Sequence, residues 1–325
     1  MSADSEIEDL GEVEEGEVFL KNPAVINTDA DLQFANATAA GVADLAGTEM
    51  HAPDLYDHGQ VVTPLADLAS IDEAQIEAFH RRGFMAVESV FSPARITAAI
   101  DGWERLVAGN VPDYKGCQFE AAVADRIEEL TVAERRLALR KLAFFVDYEP
   151  RLHDIAFDPD VLDVLSRLIG GKPHMFQDMA LSKPPLKGRE KPWHQDCAYF
   201  NIPPDTPVVA IWIALDEATI ENGCMRVVSG GHRLGPVLHF QRRDWQICDK
   251  DAYRIHDSEH AVAAVPLPVG GCLFFSGLLP HGTPHNHTDM HRRALQFHYY
   301  PETTKDTTAE ERLAIFGTEG KDVTC

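Results

Sequence analysis

Trp193-His194-Gln195-Asp196 is the stretch on which the reading of this chain turns. In an extended strand alternate side chains share a face, so His194 and Asp196 project together while Gln195 turns away. An imidazole and a carboxylate held side by side supply two of the three protein ligands of a metal site. The best candidate for the third is His281, in Leu279-Pro280-His281-Gly282-Thr283. Two histidines and one carboxylate on one side of a metal leave the opposite positions open, the ligand set of non-haem Fe(II) oxygenases. A His-x-Asp tripeptide is weak evidence by itself, so the reading depends on its surroundings.

Around it the chain reads as strands. Residues 175–181, 208–215, 225–228, 272–275 and 294–300 are β-branched or aromatic runs separated by Pro and Gly turns. Asn222-Gly223 is a tight-turn signal between two of them. Short strands without helices between them predict an antiparallel sandwich or barrel. Residues 233–265 interrupt the pattern with a polar stretch carrying Arg233, Arg242, Arg243, Trp245, Lys250, Arg254 and His256. A long segment of this kind beside a site is often a lid or binding loop.

Further upstream the period changes to that of helices. Ser70 with Glu73 predicts a capping box, followed by an apolar face at Ile76 and Phe79 and a stop at Gly83. Phe84–Val87 reads as a short strand, and Ser92-Pro93 opens a helix to about Val107. Ile127, Leu130, Leu137 and Leu142 predict a helical stretch over 123–145, and Asp158-Pro159 starts another through Leu168, stopped by Gly170-Gly171. Residues 1–20 hold eight acidic and no basic residues and read as a flexible arm. The organisation expected is that arm, an irregular lead-in over 21–70, one domain over 71–303 with the 233–265 insertion, and a C-terminal tail over 304–325.

With 325 residues and 45% apolar content the chain can bury a substantial core. A formal net charge of −23 argues against nucleic acid or an anionic membrane as partner, since both call for a basic surface. No apolar run approaches the roughly 18 residues of a membrane helix, and the acidic N-terminus does not read as a secretion signal. Six cysteines without framework spacing fit reduced thiols, so a cytoplasmic protein is expected. Cys197, beside the proposed metal strand, reads as a small buried filler.

These residues resemble the phytanoyl-CoA dioxygenase family of Fe(II)/2-oxoglutarate oxygenases. The resemblance runs over about residues 72–303. It includes Lys183-Pro184-Pro185, Trp193-His194-Gln195-Asp196 with Tyr199-Phe200, and Trp212. It continues through Glu221-Asn222-Gly223-Cys224-Met225, Ser229-Gly230-Gly231-His232, Phe274-Phe275, His281-Gly282-Thr283 and Arg292-Arg293-Ala294. It implies a mainly β, α+β fold: a double-stranded β-helix (a cupin-like jelly roll) with helices packed on one side.

Carried over residue by residue, the resemblance implies iron held by His194, Asp196 and His281. It makes Arg292 the partner of the distal carboxylate of the cosubstrate 2-oxoglutarate, with Thr283 adding a hydroxyl and Met179, Trp212 and Lys141 lining the cosubstrate pocket. A guanidinium suits that task because it makes two parallel charge-assisted bonds to a carboxylate. Arg293 is the alternative, and strand alternation lets only one of the two point inward. His285, His287 and His291 read as a polar turn, His232 as a structural turn residue and His298 as a core or pocket-wall residue. The activity implied is hydroxylation of a small-molecule metabolite using O2, with 2-oxoglutarate decarboxylated to succinate and CO2; desaturation or ring formation would use the same site. A zinc hydrolase could use the same three ligands, but it would leave Arg292 and Thr283 without a role. A non-catalytic jelly-roll protein that merely keeps the motif is the other alternative.

Overall fold

The computed structural model describes residues 53–242, 245–248 and 262–317. The acidic arm, the first part of the lead-in, the middle of the 233–265 segment with Arg243, Lys250, Arg254 and His256, and the end of the tail lie outside the described residues. In chain order the strands are β1 (Gln60–Val61), β2 (Leu65–Asp67), β3 (Phe84–Ser89), β4 (Cys117–Phe119), β5 (Leu139–Ala143), β6 (Pro173–Lys183), β7 (Lys191–His194) and β8 (Val209–Ala214). They continue with β9 (Met225–Val228), β10 (His239–Arg242), β11 (Trp245–Cys248), β12 (Val262–Val265), β13 (Cys272–Ser276), β14 (His281–Thr283) and β15 (Arg292–Pro301). The α-helices are α1 (Glu73–Arg82), α2 (Pro93–Val107), α3 (Val132–Ala138), α4 (Pro150–Ala156), α5 (Pro159–Ile169) and α6 (Ala309–Phe316).

Two sheets form the body. One runs β1-β12-β9-β14-β7, and the larger runs β2-β3-β13-β8-β15-β6-β5-β4. Pairing is antiparallel except at the edges, where β1 joins β12 and β2 joins β3 in parallel. Alternation along the strands of the larger sheet separates its two faces. Trp212, Leu273, Phe275 and Ala294 pack with Met225, Val227 and Val265 of the smaller sheet, forming the interior between the sheets. Ile211, Ile213, Phe274, Leu295 and Phe297 point the other way, onto Trp103 and Leu106 of α2 and Val161 and Leu165 of α5. Each large side chain so buried contributes about 1.5–3 kcal/mol, which is why α1, α2, α4 and α5 lie on that face.

Local signals explain the helix ends. Ser92 caps α2 with Pro93 in its first turn, and Asp158 caps α5, which stops at Gly170 with φ 75°. The cap of α1 is Asp72, whose side chain accepts from Gln75 N, and not Ser70, which ends a short 3-10 turn. At the other end Gly83 has φ 82°, and a Cβ there would fall 2.4 Å from the His232 ring, so the site tolerates no side chain.

Besides the cap of α1, three expectations are corrected and one helix is added. The helix expected over 123–145 is a 3-10 stretch over Ala121–Glu129, the short α3, and then strand β5, because Leu139–Ala143 finds hydrogen-bond partners on β4 and β6. Helix α4 was not foreseen. The lead-in is not wholly irregular, since β1 and β2 extend both sheets. The tail contains α6, opened by a Thr308–Glu311 capping box and anchored by buried Phe316.

Candidate active site

β7 ends at His194, and the chain turns into a 3-10 segment at Asp196 through an extended Gln195. His281 opens β14 directly across from His194 in the register of the smaller sheet, which places the two imidazole rings 4.2 Å apart. His194 Nε2 is 3.4 Å and His281 Nε2 3.6 Å from the same oxygen, Asp196 Oδ1. All three side chains are buried. Among the described residues they form one group whose ligand atoms lie within 4.8 Å of one another.

The histidines are prepared as ligands. His194 Nδ1 lies 2.8 Å from the Pro192 carbonyl and His281 Nδ1 2.9 Å from the Leu279 carbonyl. A carbonyl only accepts, so Nδ1 carries the proton in each ring and Nε2 turns a lone pair toward Asp196. Burial and the neighbouring His281 lower the His194 pKa to about 4, and burial also lowers His281. Burial pushes the Asp196 carboxyl up, but His281 and His298 outweigh it and hold the group well below the usual carboxylate range. Neutral imidazoles and an ionised carboxylate are the forms that bind a divalent cation. The donor set, two nitrogens and one oxygen, suits Fe(II).

Alternation on β15 resolves the two arginines. Arg292 points into the interior and Arg293 points out, donating to both Asp216 carboxylate oxygens at 2.8 Å and lying over Trp103. Arg292 is 2% exposed, stands 5.3 Å from the Trp212 ring centre, and its Nε and Nη1 have no hydrogen-bond partner among the described residues. Burial depresses its pKa to about 10. A buried guanidinium with two unused nitrogens calls for an anionic partner.

The other residues that the resemblance assigns to the cosubstrate lie on elements lining that interior. Met179 and Trp212 both register with Gln296 of β15, and Lys141 registers with Leu181, itself opposite Ala294. Thr283 is buried two residues after His281 on β14. Lys183, opposite Arg292, donates to the carbonyls of Arg189, Thr283 and Pro284, tying β6 to the chain after β14. Gln195, turned away from the metal position, accepts from Val237 N and donates to the Gly235 and Leu278 carbonyls. His239 Nε2 accepts from Gln195 N, so the start of the 233–265 segment is fastened to the residue between two ligands. His285 and His287 pair with each other away from the triad, and His291 bonds Ser182 Oγ.

Sequence reasoning missed Gln296 as a polar group of the site and gave His298 only a core or wall position. Both side chains reach Asp196 Oδ2, at 3.2 and 2.9 Å. Counting by twos from Arg292 along the last strand reaches both.

A jelly roll with two histidines and one carboxylate converging in its interior defines a 2-oxoglutarate-dependent non-haem iron dioxygenase. The family model of phytanoyl-CoA dioxygenase (PhyH) matches residues 79–294, and the chain belongs to that family. It is 31% identical over 247 residues to a probable phytanoyl-CoA dioxygenase of Caenorhabditis elegans, covering 65% of this chain and 78% of the relative. The peroxisomal phytanoyl-CoA dioxygenase of Homo sapiens is also 31% identical, over 231 residues, covering 69% of this chain and 67% of that one. Among solved structures, EvdO2 from Micromonospora carbonacea var. aurantiaca, complexed with 2-oxoglutarate, aligns with a TM-score of 0.57 at 25% identity over 76% of this chain and 97% of that one. EctD from S. alaskensis shares the fold, with a TM-score of 0.59 at 20% identity over 80% of this chain and 86% of that one. No helix among the described residues is long and apolar enough to cross a membrane.

Proposed function

We propose that His194, Asp196 and His281 hold Fe(II), that Arg292 and Thr283 seat the distal carboxylate of 2-oxoglutarate, and that the enzyme hydroxylates an unactivated C–H bond of a small-molecule metabolite. The observation that carries this reading is the meeting of two Nε2 lone pairs and Asp196 Oδ1 in a buried interior, with each Nδ1 proton already committed to a carbonyl. When bound, iron with 2-oxoglutarate and O2 supplies the oxidant: one oxygen atom enters the substrate as hydroxyl and the other enters succinate as CO2 leaves.

The chain's own residues do the rest. Arg292 offers its unused nitrogens to a dicarboxylate at a depth where water cannot compete, which strengthens each bond. The buried Trp212 and Met179 side chains supply apolar walls that exclude water around the cosubstrate. Lys141 lines the same face from β5. The guanidinium with two unused nitrogens favours this reading over a zinc hydrolase or an inert relic, neither of which needs such a buried cation. Cys117, Cys197, Cys224 and Cys272 are free thiols, which supports a cytoplasmic location, although the human relative is named peroxisomal.

Anaerobic addition of Fe(II) and 2-oxoglutarate to the apoprotein is the test. Chelation of both produces a weak visible charge-transfer band, and air then releases succinate. A protein that binds Fe(II) but shows no band on adding 2-oxoglutarate is not this enzyme.

A further inference from the structure

The Asp196 carboxylate is divided between two sets of neighbours. Oδ1 faces His194 and His281, at 3.4 and 3.6 Å. Oδ2 faces the opposite way, 2.9 Å from His298 Nε2 and 3.2 Å from Gln296 Nε2. Gln296 and His298 are alternate residues of β15 on its interior face, and both are buried, His298 completely. The His298 ring stands edge-on to Phe200 at 4.9 Å and tilted to Phe176 at 5.9 Å, so packing fixes its plane. Its Nδ1 has no hydrogen-bond partner among the described residues.

We propose that His298 and Gln296 are positioning residues that make Asp196 a one-oxygen ligand, each donating a hydrogen bond to Oδ2 so that Oδ1 alone faces the metal. This rests on the reading of His194, Asp196 and His281 as the iron site. A carboxylate can bind a metal through one oxygen or both. If Asp196 used both, it would occupy a position that the keto acid or O2 needs. Two donors converging on Oδ2 prevent the rotation that would bring that oxygen round. A purely structural histidine would be a poor choice here. The buried, unpaired Nδ1 carries a desolvation cost, and an apolar side chain of similar size would fill the space without it. The bond to Asp196 is what the imidazole provides and an apolar residue cannot.

The test compares His298→Leu, which removes the donor, with His298→Gln, whose amide restores a donor near the place of Nε2. Cobalt(II) is titrated into the purified full-length apoprotein, and its visible d–d spectrum reports both affinity and coordination number. Orienting partners of metal ligands typically change metal affinity by 10–100-fold. We expect His298→Leu to weaken Co(II) binding by about that factor and to change the band intensity, and His298→Gln to recover most of both. Gln296→Leu, which keeps the ring in place, is expected to weaken binding several-fold and carries the comparison if His298→Leu does not fold. Circular dichroism and a urea midpoint check folding throughout. Folded His298→Leu or Gln296→Leu protein binding Co(II) within twofold of wild type, with an unaltered spectrum, overturns the proposal. His298→Gln as defective as His298→Leu also overturns it, because ring bulk and not the donor would then be what matters. If wild type takes up no Co(II), or His194→Ala takes it up equally well, the iron reading fails and this inference falls with it.

Discussion

Arg292 and Arg293 are adjacent in the chain, yet the two faces of β15 put them in opposite situations. On the outer face Arg293 is fully engaged, donating to both oxygens of Asp216 and to Glu104 and lying over Trp103. On the inner face Arg292 is buried more deeply and leaves two of its nitrogens unused. Folding stability alone would favour the first arrangement on both faces, because an unpartnered buried charge is costly. Under the proposed function, the difference separates side chains that hold the fold together from those kept available for a ligand. It extends to the histidines: His291 spends Nε2 on Ser182, whereas His194 and His281 spend only Nδ1 and keep Nε2 free of protons.

Substitution should therefore have unlike consequences on the two faces. The largest effect belongs to the triad. Asp196→Ala is expected to reduce succinate release to background and to abolish the anaerobic charge-transfer band, while the protein stays folded. A persisting band would place the metal elsewhere. Arg292→Ala comes next. Two charge-assisted bonds at about 1.5–3 kcal/mol each correspond to a rise of about 100-fold or more in the dissociation constant for 2-oxoglutarate, with Co(II) affinity left alone. A change below tenfold would remove Arg292 from the cosubstrate site.

Buried histidines give the next effect. Burial lowers the pKa of His239 to about 3 and that of His291 to about 4, from an unfolded value near 6.5. Above pH 6.5 both states are neutral and nothing is lost. Below it the unfolded chain takes up protons that the folded protein refuses, so stability falls with pH and the loss levels off near the folded pKa. Each histidine thus costs on the order of 2 kcal/mol at pH 5. Asp178, pushed up to about 6 by burial, works in the opposite direction, so the measurement is a difference. The urea midpoint of His291→Asn should decline less than that of wild type between pH 7 and pH 5. Parallel declines would show that His291 protonates freely in the folded state.

The sequence made some of this legible for physical reasons. The triad could be read because a His-x-Asp at a strand end and a third histidine followed by Gly-Thr are local patterns. Helices α1, α2 and α5 could be read from their caps. Strand β5 could not, because leucines spaced through 123–145 also satisfy a helical period and only pairing with β6 decides the matter. Edge strands β1 and β2 are two and three residues long and largely exposed, so they carry no alternation to detect. The roles of Gln296 and His298 depend on which face of β15 meets Asp196, and that is fixed by sheet order, not by their neighbours in the chain.

The smallest effect expected is the sharpest check on the comparison. Arg293→Ala removes the bonds to Asp216 and Glu104 and the packing on Trp103, but the site is at the surface of the helical layer, where Asp216 keeps partial contact with water. The side chains of Arg293, Asp216 and Glu104 are 14%, 20% and 25% exposed, so solvent screens the pair and the loss should be about 1–2 kcal/mol in urea unfolding. The dissociation constant for 2-oxoglutarate should stay within twofold of wild type, since nothing on the inner face has changed. If Arg293→Ala instead weakened 2-oxoglutarate as much as Arg292→Ala does, the two faces would be coupled through β15, and the division of labour between them would not hold.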